Sequence, residues 1–243
     1  MRVAALYDIH GNLPALEAVL QDIRQAAVDA IVVGGDVVVG PMSRETVSCL
    51  LDVGFPVHFI HGNAEVAVLD QMAGRNPAAV PEQYWPILRW TAQELTEYEP
   101  LLASWPKTRR LDIAGLGDVL FCHGTPRDDN EVFTRLTPEE RLLPVFEGLN
   151  VVVCGHTHMQ FDRMIGTTRV VNAGSVGAPF GEPGADWLLL GPEVGFRHTS
   201  YDFANAAERM RATNYPEDFA ARYVLATPSA AEMLEMFTAA SLR

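Results

Sequence analysis

Short apolar runs alternate with amphipathic segments over the first sixty residues of the chain. The run Val3–Tyr7 is followed by apolar residues at three- and four-residue spacing from Leu13 to Ala27, and the same order recurs in Ala30–Val33, Ser43–Val53 and Val57–Ile60. This alternation predicts βαβ units with parallel strands. Because the strand candidates are continuously apolar, we expect both of their faces to be covered.

The remainder of the chain is more varied. Residues 65 to about 105 are rich in aromatic, acidic and proline residues without a clear strand, which predicts a helical insertion. A helix is predicted near Pro138–Phe146, and residues 203–243 are predicted to form C-terminal helices. The strand candidates are Arg109–Ile113, Val119–Cys122, Val151–Cys154, Arg169–Asn172, Trp187–Leu190 and Gly195–Tyr201. The later candidates lie close together, so we expect antiparallel pairing there, and a single α/β domain over residues 1–243.

Composition narrows the classes of function. Eighteen Lys and Arg against thirty-one Asp and Glu give a net charge of −13, which argues against binding to long nucleic acids or anionic membranes. Apolar runs end well before the roughly 18 residues of a membrane helix, and the first residues lack a signal-peptide core, so we expect a cytoplasmic protein. The three cysteines form no Cys-x-x-Cys pair, which argues against a disulfide framework or a structural zinc site.

Side chains that can bind a cation follow several of the predicted strands directly. They are Asp8, His10, Asp36, Asn63, His123, His156 and His158. Ligand sites of open α/β sheets lie at the carboxyl ends of the strands, so we expect these side chains to converge. Seven ligands are too many for one ion but suit a pair of divalent metals about 3.5–4 Å apart. The sequence therefore predicts a dinuclear metal site.

The motifs that contain these residues stand in a fixed order between residue 1 and about residue 180. They are Asp8-Ile9-His10, Gly35-Asp36 with Gly40, Gly62-Asn63, His123 and Gly155-His156-Thr157-His158. Together they resemble the motif set of the calcineurin-like metallophosphoesterase superfamily, and the segment Val171–Gly177 is most similar to its small bacterial and archaeal phosphodiesterase branch. The resemblance implies a four-layer α/β/β/α sandwich with the metals at the sheet ends.

The resemblance also implies a set of roles. One metal would bind Asp8, His10, Asp36 and His158, and the other Asn63, His123 and His156, with Asp36 bridging. A metal-bridged hydroxide would then attack phosphorus, with Asn63 and His156 as candidate catalytic residues. Asn12 and Ser175 are candidate substrate-binding residues. The ligand types favour Mn²⁺ in our interpretation and are also compatible with Fe, Zn, Co or Ni. The expected partner is a small phosphate ester, and the oligomeric state stays open, with a homodimer compatible with the family.

One position departs from the family pattern. Many members have Gly-Asn-His followed by an acid, and this His is thought to assist the leaving group, whereas the chain has Gly62-Asn63-Ala64-Glu65. A proton donor typically contributes about 10²–10⁴-fold to the rate. We therefore expect phosphodiesters or activated esters to be favoured over ordinary phosphomonoesters. His61 is the nearest substitute, but its alternation with Phe59 along the strand favours an ordinary polar contact.

Other functions stay open at this stage. A phosphomonoesterase or protein phosphatase would need another group in place of the missing His. A non-catalytic scaffold would resemble the retromer subunit that shares this family's pattern with an eroded metal site, but here every implied ligand is present. A serine hydrolase is disfavoured, because the segment around Ser175 is followed by Pro179, Gly181 and Pro183 rather than by the helix that a nucleophile elbow opens. The sequence does not identify the natural substrate.

Overall fold

The computed structural model describes residues 1–242. Its strands are β1 (Val3–Leu6), β2 (Ala30–Val33), β3 (Val57–Phe59), β4 (Arg109–Ile113), β5 (Gly117–Phe121), β6 (Val151–Cys154), β7 (Phe161–Ile165), β8 (Thr168–Asn172), β9 (Ala185–Leu190) and β10 (Val194–Thr199). Its α-helices are α1 (Leu13–Gln25), α2 (Ser43–Leu51), α3 (Asn63–Met72), α4 (Trp85–Glu94), α5 (Glu99–Ser104), α6 (Glu139–Phe146), α7 (Phe203–Arg211) and α8 (Ala230–Ala240). None of the helices within residues 1–242 is long and apolar enough to cross a membrane.

The strands form two five-stranded sheets. The first has the order β10-β9-β1-β2-β3, in which β1, β2 and β3 are parallel. The second has the order β4-β5-β6-β8-β7, in which β5, β6 and β8 are parallel and the two edge strands are antiparallel to their neighbours. The parallel strands of each sheet therefore have their carboxyl ends on the same side of that sheet, where ligands of α/β folds bind.

Alternate residues of the central strands face different apolar layers. Val3 and Ala5 of β1 lie in the core between the two sheets, whereas Ala4 and Leu6 lie in the core under the helices of the first sheet. Likewise Val152 of β6 packs under α6 in the second outer core. Because side chains alternate across a strand, a strand buried on both faces must be apolar throughout. The expected four-layer α/β/β/α sandwich is confirmed.

The first helix begins directly after the loop that leaves β1. The Asn12 side chain accepts a hydrogen bond from Ala15 N (3.1 Å), and Pro14 occupies the first turn, where a missing amide hydrogen costs little. One face of α1 buries residues such as Leu16, Leu20 and Ile23 against the first sheet. The cap and this apolar face fix where the loop of residues 7–12 turns.

Four details differ from the expectations. The helical insertion begins at Asn63 rather than 65, so the candidate ligand Asn63 is the first residue of helix α3. Strand β7 was not predicted, because Asp162 and Arg163 interrupt its apolar pattern at an edge with one exposed face. The candidates at 187–190 and 195–201 pair antiparallel as expected, but the second of these strands ends at Thr199 rather than Tyr201. Residues 220–224 wind as a π-helix within the segment predicted to form C-terminal helices.

Candidate metal centre

The cation-binding side chains predicted from the sequence meet at one edge of the sandwich. Two groups have ligand atoms within 4.8 Å of one another, and they are Asp8, His10 and His158, and Asp36, His123 and His156. Asn63 adjoins the second group, since its Oδ1 lies 3.0 Å from Nε2 of His123. The structure thus brings together all seven residues, which come from five separate segments of the chain.

The two groups share their carboxylates. Asp8 Oδ1 lies 3.3 Å from His158 Nε2 and 3.8 Å from His123 Nε2, so it faces both groups. Asp36 lies 3.4 Å from His123 Nε2 through Oδ1 and 3.9 Å from His10 Nε2 through Oδ2. Each carboxylate therefore lies between imidazoles of the two groups, as expected of one compact centre.

One oxygen of Asp8 has no hydrogen-bond partner. Asp8 is fully buried; its Oδ2 accepts a hydrogen bond from His156 N (2.9 Å), whereas no group within residues 1–242 donates to its Oδ1. A buried, unpaired carboxylate oxygen is costly unless it binds a cation. In addition, His10 Nε2 and His158 Nε2 face each other at 3.2 Å. A hard carboxylate oxygen beside converging imidazole nitrogens suits a divalent transition metal, so the residues present fit such a cofactor.

Backbone carbonyls orient two of the imidazoles. His123 Nδ1 donates to Gly34 O (2.9 Å), and His158 Nδ1 donates to Ala178 O (2.8 Å). Each ring thereby turns its Nε2 toward the carboxylates. Hydrogen bonds of this kind fix the ring orientation of metal-binding histidines and raise their basicity.

The carboxylates and imidazoles of the centre shift one another's pKa values. Burial opposes ionisation of Asp36, but His123 overrides it and holds the pKa of this carboxyl well below its usual range. Burial likewise lowers the pKa of His123, but Asp36 and Asp8 raise it to about 10. Burial lowers the pKa of His156 to about 4, so its ring is neutral at pH 7. A metal ion would replace the proton of His123 as the positive partner of the carboxylates.

The backbone at the candidate ligands is strained. Asp8, His10, Asp36, His156 and His158 have φ angles of 53°, 48°, 51°, 67° and 57°. They are five of the seven non-glycine residues with positive φ within residues 1–242. Only a few per cent of non-glycine residues adopt this region, and such strain clusters at functional sites. The positive φ angles therefore indicate a functional site. The pattern of side chains along the sequence does not reveal these angles.

Two glycines are required by close approach of the loops. A Cβ atom at Gly40 would overlap the carbonyl oxygen of His10, and one at Gly177 would overlap that of Ile9. Any side chain at either position would push the loop of Asp8 and His10 out of place. The glycines that accompany the ligand motifs therefore have a steric reason.

The buried Glu65 was not predicted to act at the centre. Its two carboxylate oxygens accept hydrogen bonds from the backbone amides of Gly62 (2.7 Å), Asp36 (2.9 Å), Val37 (2.8 Å) and Val38 (3.2 Å). It thereby ties the loop of Asp36 to the start of α3. Burial and the nearby Asp36 raise the pKa of Glu65. Its place two residues after Asn63, in the first turn of a helix, is the capping-box position and was a usable sequence signal.

Asn12 and Ser175 have structural positions. Both are fully buried. Asn12 Nδ2 donates to Gly177 O (2.8 Å), while Ser175 Oγ donates to Asp8 O (2.7 Å) and accepts from Ala178 N (2.8 Å). These bonds hold the loops that carry Asp8 and the carbonyl facing His158. The contact of Asn12 and Ser175 with substrate stays a prediction.

Ala64 stands where many family members have a histidine, and its side chain cannot donate a proton or a hydrogen bond. Ala64 is 6% exposed and packs in the apolar core of the first sheet, while its backbone N–H donates to Asp36 Oδ1 (2.8 Å). His61 makes the polar contact expected of it, with Nδ1 3.4 Å from Asp129 Oδ2. The structure therefore pairs His61 with a carboxylate outside the two ligand groups.

With this geometry in place, comparison with known proteins decides the family. A sequence profile of the calcineurin-like phosphoesterase superfamily domain matches residues 1–191, which include all seven candidate ligands. The chain belongs to the calcineurin-like phosphoesterase superfamily. This metallophosphoesterase is accordingly a phosphoester hydrolase of a family that depends on divalent metals, as the motif resemblance implied.

Three relatives cover nearly the whole chain. An uncharacterized protein of Methanocaldococcus jannaschii, MJ0912, is 27% identical over 237 residues, which cover 88% of this chain and 94% of the relative. A metallophosphoesterase structure from Sphaerobacter thermophilus has a TM-score of 0.69 at 26% identity and covers 91% of this chain and 97% of its own. The hypothetical protein PH1004 of Pyrococcus horikoshii has a TM-score of 0.80 at 20% identity over 93% and 99% of the two chains, which shows a shared fold.

Proposed function

We propose that this metallophosphoesterase hydrolyses small phosphodiesters with two divalent cations, of which Mn²⁺ is favoured. Asp8, His10, Asp36 and His158 would hold one ion; Asn63, His123 and His156 would hold the other, with Asp36 shared between them. The observation that carries the proposal is the position of Asp8 and Asp36, each within 4 Å of imidazoles from both ligand groups. Two triads that share buried carboxylates suit a pair of ions better than one.

The bound ions would lower the pKa of a water and neutralise charge on the phosphoryl oxygens. The chain's own residues supply the orientation. Asp8, Asp36 and His123 form the buried base of the centre, whereas His10, Asn63, His156 and His158 are partly exposed above it. A phosphate ester would approach from this exposed side. Because Asn63 turns its Oδ1 to His123, its side-chain N–H₂ is free to donate to a phosphoryl oxygen.

The preference for diesters follows from the missing proton donor. Ala64 is buried and carries no imidazole, and His61 lies beside Asp129. An alkoxide that leaves from a phosphomonoester needs such a proton more than an activated leaving group does. The net charge of −13 supports small substrates over long polyanions.

Metal analysis combined with a substrate panel tests the proposal. Protein stripped with a chelator is titrated with Mn²⁺, Fe²⁺, Zn²⁺, Co²⁺ or Ni²⁺, and turnover of bis(p-nitrophenyl) phosphate is compared with that of p-nitrophenyl phosphate. We expect activity to saturate at two equivalents of metal and to favour the bis ester. Saturation at one equivalent would contradict the dinuclear centre, a preference for the monoester would favour the phosphomonoesterase alternative, and metal binding without turnover would favour the scaffold.

A further inference from the structure

A cleft opens beside the first ligand group. It has a volume of about 230 Å³ and reaches His10 and His158 at the metal centre. One wall comes from the helical insertion, with Tyr84 and Ile87. The opposite wall comes from residues 215–223, which lie beyond the family domain matched over residues 1–191. One wall of the cleft thus lies within the matched family domain and the other lies outside it.

Aromatic rings dominate the cleft and hold its walls together. The rings of Phe219 and Tyr223 are 4.8 Å apart, and Tyr215 packs edge-on against Trp90 of the insertion at 5.2 Å. At the metal end, Phe180 stacks on His158 with centroids 5.2 Å apart and planes 17° from parallel. Rings fixed by their neighbours offer flat surface at little cost in side-chain entropy. The walls are therefore suited to stacking against a planar group.

Two charged residues, Arg222 and Glu217, line the cleft beside its aromatic rings. The guanidinium of Arg222 lies 5.1 Å above the ring of Tyr223, and Glu217 also lines the cleft. Arg222 can only donate hydrogen bonds and an ionised Glu217 can only accept them. The edge of a nucleobase carries both acceptors and donors and matches this pair. Residues 220–224, which include Arg222, form the π-helix, a local irregularity that is frequent at functional sites.

The size of the cleft limits what it holds. Pockets for complete small ligands measure roughly 300–1,000 Å³, so about 230 Å³ suits one part of a substrate. We propose that this cleft binds the nucleobase of a nucleotide phosphoester whose phosphate lies at the metal centre. The proposal rests on the proposed function and narrows it from small diesters to nucleotide esters. The insertion and the C-terminal segment would then set the specificity.

A pair of substrates with the same leaving group tests the proposal. The p-nitrophenyl ester of thymidine 5′-phosphate carries a base, whereas methyl p-nitrophenyl phosphate does not. We expect kcat/KM to be higher for the nucleotide ester, and Tyr223→Leu to lower this preference about tenfold, the effect of losing one base–aromatic stack. Tyr84→Leu on the opposite wall should lower the preference in the same direction. Because the readout is a ratio, a general loss of folded enzyme cancels.

Phe196→Leu is the matched control, since Phe196 is 39% exposed on β10 and does not line the cleft. It should leave both the activity and the preference unchanged. Equal kcat/KM for the two esters in the unaltered protein, or equal proportional losses in the wall variants, would overturn the nucleobase pocket.

Binding separates the pocket from the proposed function. If neither ester is hydrolysed with any metal, the proposed function fails, and the pocket is judged by calorimetric titration of adenosine 5′-monophosphate and ribose 5-phosphate. Tighter binding of the nucleotide, reduced about tenfold by Tyr223→Leu, would support the pocket. No detectable nucleotide binding, or binding equal to that of ribose 5-phosphate, would overturn it.

Discussion

The metal centre and the aromatic cleft adjoin at His10 and His158, yet they are built in different ways. The centre consists of short polar side chains on strained backbone at the ends of strands, inside the family domain. The cleft consists of long aromatic side chains on helical segments, and one of its walls lies beyond that domain. In our proposal, the reaction thus depends on backbone fixed by the two sheets, whereas selectivity depends on side chains that can change without disturbing the sheets.

The two regions also differ in how charge is balanced. In the centre, two buried carboxylates are surrounded by four imidazoles, and one carboxylate oxygen lacks a hydrogen bond. In the cleft, the charged groups Arg222 and Glu217 are exposed to water. Substitutions in the centre should therefore change metal content and rate together, whereas substitutions in the cleft should change preference. The following predictions test that division.

The largest expected effect is that of Asp36→Asn. The amide removes a charge that faces both ligand groups, so we expect turnover of the bis ester to fall by about 10³-fold or more, together with loss of bound metal measured by elemental analysis. Asp162→Asn on β7 is the control, because Asp162 pairs with Arg169 at a sheet edge and should leave both readouts unchanged. A variant at Asp36 with full metal content and near-normal turnover would refute the assignment of the centre.

The next largest effect, a loss of folding stability, is expected for Glu65→Ala. Four backbone amides lose their buried acceptor, so the free energy of unfolding of the metal-free protein should fall by about 3–5 kcal/mol in urea titrations. Glu97→Ala is matched to it, since Glu97 is about half exposed in its ion pair with Arg44 and should cost less than about 1 kcal/mol. Similar losses in the two variants would show that Glu65 does not tie the Asp36 loop to α3.

A smaller loss of folding stability, in the loops around the metal centre, is expected for Ser175→Ala. Removing the hydroxyl leaves Ala178 N without its partner and leaves Asp8 O with only the hydrogen bond from Gly177 N (3.0 Å), which should cost about 1–3 kcal/mol of unfolding free energy. Metal affinity should weaken as the loop of Asp8 loosens, while the preference for a nucleotide ester should stay unchanged. A selective rise in KM for substrate, with stability unaltered, would instead support the predicted substrate contact of Ser175.

The smallest effect is expected for Ala64→His. An imidazole in the family's usual place should assist poor leaving groups, so the ratio of monoesterase to diesterase activity should rise about tenfold, below the full 10²–10⁴-fold range because Ala64 is packed in the core. The ratio is measured as turnover of glycerol 2-phosphate, a monoester with a poor leaving group, relative to turnover of bis(p-nitrophenyl) phosphate, with folding monitored by circular dichroism. An unchanged ratio in a folded variant would count against our interpretation of the Ala64 departure.

Most of the architecture and the set of candidate ligands could be predicted from the sequence. Continuous apolar runs such as those of β1 and β6 predict strands covered on both faces. A polar residue directly after such a run lies at the carboxyl end of the strand. Strand β7 was missed because its exposed face carries Asp162 and Arg163, which disguise an edge strand as a loop. Glu65 was missed because a lone glutamate in a helical pattern is usually solvent-exposed.

The residue types at the ends of the strands can be identified from the spacing of apolar and polar residues, because these properties are local. The tertiary structure is what makes the two triads share Asp8 and Asp36, gives five candidate ligands positive φ, and buries Asn12 and Ser175. It alone also joined the insertion to residues 215–223 in an aromatic cleft. Contacts between segments more than a hundred residues apart depend on how the layers pack, and no local pattern along the chain encodes that packing.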